Sequence, residues 1–83
     1  MFTVYILRTN KNTLYTGYTN NLQARLAKHK KGKGSKYLKM FKSFKLVYTE
    51  EFETKSEAMK REAELKKLTK TEKEKLTGKG IIL

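Results

Sequence analysis

The 83 residues include 20 Lys or Arg against 8 Asp or Glu, a formal net charge of +12 with the single His neutral, so one small cationic domain over residues 1–83 is expected, with no room for a second core. The lack of Cys excludes disulfides, thiolate nucleophiles and Cys-ligated zinc, and one His excludes a multi-histidine centre; any metal would sit on oxygen ligands. The apolar run from Phe2 meets a charge at Arg8, too early for a membrane span or a signal-peptide core, and no basic helix carries the wide apolar face that a membrane surface needs. A soluble, cytoplasmic, monomeric protein is expected, folded because 37% of its residues are hydrophobic and 11% aromatic.

In chain order, Phe2–Arg8 is rich in β-branched and aromatic residues, and Leu14–Tyr18 resumes that character after the polar stretch Thr9–Thr13, which predicts a hairpin. Thr19, Asn20 and Asn21 are cap residues for a helix over roughly 20 to 31 that stops at Gly32. The basic, glycine-interrupted connection from Gly32 to Lys42 carries Tyr37, Leu38, Met40 and Phe41, as expected of a loop with a docked helical turn. Phe44–Phe52 alternates as a third strand. Thr54 with Glu57 has capping-box spacing, and Ala58, Met59, Glu62, Leu65 and Leu68 recur at helical intervals over about 55 to 68. Thr71 with Glu74 repeats the box before a short helix ending near Gly78, and Ile81–Ile82–Leu83 forms an apolar tail expected to dock. The fold class is α+β: a three-stranded, mainly antiparallel sheet flanked by helices in β-β-α-β-α order, with a short helical turn in the basic loop and a short C-terminal helix.

The charge is unevenly placed. Residues 1–49 hold 11 basic and no acidic residues, whereas residues 50–83 hold 9 basic and 8 acidic. A one-sided field of this kind suits a polyanion, because each neutralised phosphate releases condensed counterions; ordinary solvated faces mix both signs. Lys33, Lys36, Lys39 and Lys42, interleaved with Tyr37 and Phe41, suit a phosphate backbone, and the two aromatics either stack on unpaired bases or pack in the core.

Two polar groups fall on faces that should be apolar. At about 100° per residue, Arg25 and His29 border the Leu22–Leu26 side of the first long helix, and Glu62 falls between Ala58 and Leu65 on the later one. Burying an unpaired carboxylate is costly, so Glu62 must meet a cation, a metal or water in a cleft. The plain structural alternative is an Arg25–Glu62 ion pair that locks two helices together.

These residues form a series that resembles the GIY-YIG endonuclease superfamily, in particular its small stand-alone members of the UPF0213 type, related to the N-terminal nuclease domain of a DNA-repair excinuclease. Thr3-Val4-Tyr5 with Ile6-Leu7 stands at the first signature and Tyr15-Thr16-Gly17 at the second. Thr19-Asn20-Asn21-Leu22, Arg25, His29, the stretch Gly32–Tyr37 and Arg61-Glu62 with Leu65-Lys66 follow in family order over nearly the whole chain. Thr3 replaces the first signature's glycine and Thr16 the second's isoleucine. An accessory DNA-binding domain and a further C-terminal asparagine seen in some members have no counterpart.

The resemblance implies a metal-dependent DNA endonuclease. Phosphodiester hydrolysis needs a deprotonated water, charge stabilisation at the phosphoryl oxygens and help for the departing oxygen. By similarity, Tyr5 or Tyr15 is the general base, Arg25 clamps the scissile phosphate through its planar fork, and Glu62 holds one divalent cation, Mg²⁺ or Mn²⁺. His29 either contacts phosphate, assists proton transfer or is structural. Gly17 lets its strand pass close to another backbone or to substrate. The site is expected on a sheet face shared by the Arg25 and Glu62 helices, with Tyr37 at its rim. Duplex or branched DNA is the expected partner, with RNA as the other nucleic acid to test. The rival readings are a non-catalytic DNA- or RNA-binding module of the same fold, and a basic RNA-associated protein in which Arg25 and Glu62 are only a structural pair.

Overall fold

A computed structural model describes residues 1–77; the helix stop near Gly78 and the docked tail Ile81–Leu83 lie outside the described residues. Seven elements follow one another: β1 (Phe2–Thr9), β2 (Leu14–Thr19), α1 (Leu22–Lys30), α2 (Lys36–Lys39), β3 (Phe44–Phe52), α3 (Lys55–Lys66) and α4 (Lys70–Leu76). The strands make an open antiparallel sheet in the order β2-β1-β3, so the α+β class and the element order expected from the sequence are those of the structure.

The central strand explains the layering. Successive side chains of a strand point to opposite faces, and β1 is apolar on both: Val4 and Ile6 pack with Ala58 and Leu65 under α3, whereas Tyr5 and Leu7 pack with Leu38, Leu22 and Leu26 under α2 and α1. A strand covered on both faces reads as a continuous apolar run rather than an alternating one, which is the character of Val4-Tyr5-Ile6-Leu7, all fully buried. The helices bearing Arg25 and Glu62 therefore lie on opposite faces. The site expected on one shared sheet face is instead built around the free edge of β2.

On the other edge, β3 carries a bulge. Ile6 pairs with Tyr48 but Leu7 pairs with Leu46, so Val47 is the extra residue. Val47 and Tyr48 both reach the Val4–Ile6 layer as a result, and Leu46 is left exposed.

Caps set the helix positions. The Asn21 side chain accepts from the Ala24 N–H at 3.1 Å and caps α1, whose first residue, Leu22, is two residues after the expected start, and Gly32 ends that turn at φ +75°, a left-handed conformation that favours glycine. Thr54 and Glu57 form the expected capping box of α3. The box of α4, however, is Thr69 with Glu72, not Thr71 with Glu74, because Glu74 is engaged elsewhere: it pairs with Arg8 of β1 and clips α4 to the sheet. Met59, assigned to the apolar stripe from spacing, is 47% exposed. The line Ala58–Glu62–Leu65 faces inward, and Met59 lies about 100° around the helix from Ala58.

Candidate active site

Tyr5 sits at the centre of β1 with no exposed surface, and its hydroxyl lies 2.9 Å from Nε2 of His29 on α1. His29 is itself buried, one helical turn beyond Arg25. Two glycines make room for this pair. Gly17 is directly across from Tyr5 in the β1–β2 ladder, and a Cβ there would stand 2.7 Å from the Tyr5 hydroxyl oxygen and 2.9 Å from Cζ. The close approach expected at Gly17 is thus to a side chain, the Tyr5 ring, and not to backbone. Gly34 plays the matching part behind His29, where a Cβ would lie 2.7 Å from Cε1 and still closer to Nδ1. The sequence places Gly34 in the family-ordered stretch Gly32–Tyr37 but assigns it no role, because a glycine in a basic loop carries no sign of the ring that it faces.

Burial governs the electrostatics of the pair. It pushes the Tyr5 phenol up to about 12, with the neighbouring Tyr15 adding to the rise, Arg25 opposing it and Glu62 contributing least. Burial and then the Arg25 charge hold His29 below the usual imidazole value. At neutral pH Tyr5 is therefore a phenol and His29 an uncharged imidazole. Nδ1 of His29 has no hydrogen-bond partner among the described residues, so Nε2 is its engaged nitrogen.

A cavity of about 480 Å³ opens beside the pair, lined by Tyr5, Tyr15, Gly17, Arg25 and Glu62. It gathers side chains from β1, β2, α1 and α3, four elements that reach it from both sides of the β2 edge. Phe2, Tyr18, Thr19, Asn20 and Lys55 complete its wall; Lys55 is at the first position of α3, where sequence spacing gives no reason to single it out. Arg25 is half-buried, and Glu62 is 21% exposed in its side chain and 3.5 Å from Lys66 Nζ. Among the described residues no ion pair joins Arg25 to Glu62. The locking pair considered from the sequence is therefore not how either residue is satisfied.

The donor set bears on a metal. Among the described residues no cluster of three or more His, Asp or Glu could form a protein cage, which leaves Glu62 as the carboxylate facing the cavity. A single carboxylate at an open, polar wall fits Mg²⁺ or Mn²⁺ of the kind that keeps most of its waters, and fits poorly any cation that needs several protein ligands.

The aromatic residues line up beside the cavity. Tyr15 meets the His29 ring edge-on with centroids 5.7 Å apart and stacks on Tyr37 at 6.0 Å and 17°. The Tyr37 hydroxyl donates to Thr13 Oγ1 at 3.0 Å. Tyr37 is 40% exposed, so it neither belongs to the core nor stands free: it covers Tyr15 at the rim. Lys33, Lys36, Lys39 and Lys42 are all exposed on α2 and its flanking loops, and Leu38 supplies the buried anchor of that turn.

With this geometry in view, comparison with known proteins is direct. The family model of the GIY-YIG catalytic domain matches residues 1–75. A UPF0213 protein of Staphylococcus epidermidis is 48% identical over 77 residues, covering 93% of this chain and 94% of the relative; one from Staphylococcus haemolyticus is 51% identical over 73 residues, covering 88% and 89%. The solution NMR structure of a UPF0213 protein from Bacillus halodurans superposes with a TM-score of 0.61 at 43% identity, over 94% of this chain and 84% of that one. A match of this extent, on a sheet whose first two strands carry Tyr5 and Tyr15-Thr16-Gly17, makes the chain a member of the GIY-YIG family.

Proposed function

We propose that the protein is a metal-dependent endonuclease that hydrolyses DNA phosphodiester bonds in the cytoplasm. The observation that carries this reading is the convergence of Tyr5, Arg25 and Glu62 on one polar cavity from three separate elements. Convergence of a base, a phosphate clamp and a metal ligand is the arrangement that phosphoryl transfer requires.

In this reading Tyr5, rather than Tyr15, is the general base. A phenol near 12 cannot wait as phenolate at neutral pH, so it works as a relay: it takes a proton from the attacking water while passing its own to Nε2 of neutral His29, 2.9 Å away. That direction requires the His29 tautomer protonated at Nδ1, the nitrogen facing Gly34. Arg25 holds the non-bridging phosphate oxygens and stabilises their growing charge. Glu62 would hold the divalent cation, which supplies charge stabilisation for the phosphoryl group and the departing oxygen. Tyr15 and Tyr37 shield the pair from bulk water, and the lysines of residues 1–49 draw in the polyanion.

The second reading, a DNA- or RNA-binding module without catalysis, is favoured by the same protonated Tyr5 and by the Lys66 charge beside Glu62. Incubation of supercoiled plasmid and branched DNA with the protein in Mg²⁺, Mn²⁺ or EDTA separates the two. Nicking that EDTA abolishes supports the nuclease; binding with no nicking under any of these conditions supports the module.

A further inference from the structure

A second cavity, of about 490 Å³, lies on the same face of the sheet as α1, between the C-terminal end of that helix, α2 and the start of β3. Its lining is of two kinds. Lys30, Lys31, Lys39 and Lys42 line it, and among the described residues no Asp or Glu does, as the absence of any acidic residue before Glu50 would lead one to expect. Leu38, Phe41 and Phe44 add apolar and aromatic lining. Such a cavity is within the size range of small-ligand sites, roughly 300–1,000 Å³, and pairs an apolar surface with a few placed charges. His29 also lines it, and Nε2 of the same ring meets the Tyr5 hydroxyl.

We propose that this cavity takes one unpaired nucleotide of a nucleic-acid strand, its base against Phe41 and Phe44 and its phosphate among the four lysines. The inference rests on the nuclease reading above and narrows its substrate class to DNA with unpaired or splayed nucleotides near the cut. Three features favour a nucleotide over a bare anion or an apolar ligand. The charge is entirely of one sign, as a phosphate requires. The aromatic wall offers a stacking surface of the kind that single-strand binders use, which tolerates any base. Finally, α1 contributes to both cavities, Arg25 to the first and Lys30 to the second, five residues or about 7.5 Å apart along the axis at 1.5 Å per residue, so one strand can contact both residues.

The test uses adenosine 5′-monophosphate, inorganic phosphate, a single-stranded oligonucleotide and a duplex of the same sequence, titrated at low salt into wild type and into Arg25→Ala, which removes the clamp of the first cavity. His29 is the chain's one histidine and lines this cavity, so its imidazole NMR signals report occupancy; because its Nε2 also meets Tyr5 of the first cavity, the Arg25→Ala background and the Lys39, Lys42 and Phe41 variants assign the shift to the second cavity. The proposal expects the monophosphate and the single strand to shift those signals in both proteins. It expects Lys39→Ala with Lys42→Ala to weaken both ligands about tenfold or more and the duplex less than threefold. Phe41→Leu, which keeps an apolar side chain but removes the ring, should weaken the monophosphate several-fold and leave inorganic phosphate unchanged. Equal weakening of single strand and duplex, or a monophosphate that binds no better than phosphate, overturns it. Binding of the free monophosphate but not of the oligonucleotide overturns the strand assignment in favour of a free-nucleotide site. None of these readings depends on cleavage, so a protein that nicks DNA yet fails them refutes this inference alone.

Discussion

Gly17→Ala is the smallest change that reaches the centre of the site. The new methyl would begin 2.7 Å from the Tyr5 hydroxyl oxygen, 2.9 Å from Cζ and 3.1 Å from Cε2. Non-bonded carbon contacts settle near 3.5–4.0 Å, so the ring must retreat by on the order of 0.8 Å. Tyr5 is fully buried and its hydroxyl is held 2.9 Å from His29, so the movement disturbs that bond. Overpacking of this kind costs about 1–3 kcal/mol, and loss of the buried hydrogen bond adds about 1 kcal/mol. At about 4–8 °C per kcal/mol for a domain of this size, Tm should fall by roughly 8–32 °C. A displacement near 1 Å of a group that moves a proton costs about 10²-fold in rate. The assay combines a melting curve, the imidazole signals of His29 and the single-turnover cleavage rate. Adding Tyr5→Phe removes the atom in closest contact, so the double variant should recover part of the lost Tm while gaining no activity, a non-additivity expected only if the two residues collide. Gly17→Ala with wild-type Tm, unchanged imidazole signals and a rate within threefold would refute the reasoning.

Further expectations concern other parts of the molecule. Glu62→Gln should abolish metal-dependent cleavage and divalent-cation binding while costing at most about 1 kcal/mol of stability, because its partner Lys66 is largely exposed; a melting curve and a Mn²⁺ titration check this. Glu74→Gln should destabilise the fold by roughly 1–3 kcal/mol, read by denaturant unfolding, since Arg8 is only 11% exposed in its side chain and would lose its carboxylate. The pH profile should bend at both ends. The Tyr5 value is raised to about 12, so stability is complete below about pH 10, where folded and unfolded phenols are both protonated, and falls by on the order of 2–3 kcal/mol as pH rises from about 10 to 12. The His29 value is lowered, so stability is complete above about pH 6.5 and is lost as pH falls through the folded value, and cleavage should fall on the same acid side because the relay needs a neutral imidazole. Affinity for duplex DNA should drop steeply between about 50 and 200 mM salt.

The fold was legible where local chemistry decides it. Thr54 with Glu57 needs no tertiary partner to form a capping box, and the β-branched and aromatic run Phe2–Arg8 reads as a strand, although its burial on both faces emerges only from the packing of α1 and α3. Thr71 with Glu74 has the same spacing as a true box, but Glu74 is drawn to Arg8, a residue 66 positions away, which no local pattern can anticipate. The site was legible residue by residue and not in its assembly. Arg25, His29 and Glu62 stand out as polar groups on apolar faces, yet only the opposite placement of α1 and α3 brings Arg25 and Glu62 to one cavity around the β2 edge, with His29 against Tyr5 beside it. Gly17 was recognisable as a close approach; that its neighbour is the Tyr5 ring follows from strand register. Gly34 and the second cavity were silent, because they depend on where α2 folds back against the end of α1.

The central claim is that the cavity at the β2 edge is built to stabilise charge on a phosphate being cleaved, and Arg25 is the residue that distinguishes such a site from a merely cationic surface. Wild type and Arg25→Ala should be compared for nicking of supercoiled plasmid in Mg²⁺, with DNA affinity and Tm measured on the same preparations. The account predicts that wild type nicks, that Arg25→Ala loses at least about 10²-fold in rate, and that it keeps DNA affinity within a few-fold and a wild-type Tm, since one cation among many adds little to the summed field but much to the transition state. A wild type that binds DNA but never nicks it, or an Arg25→Ala protein that nicks as well as wild type, would contradict the account.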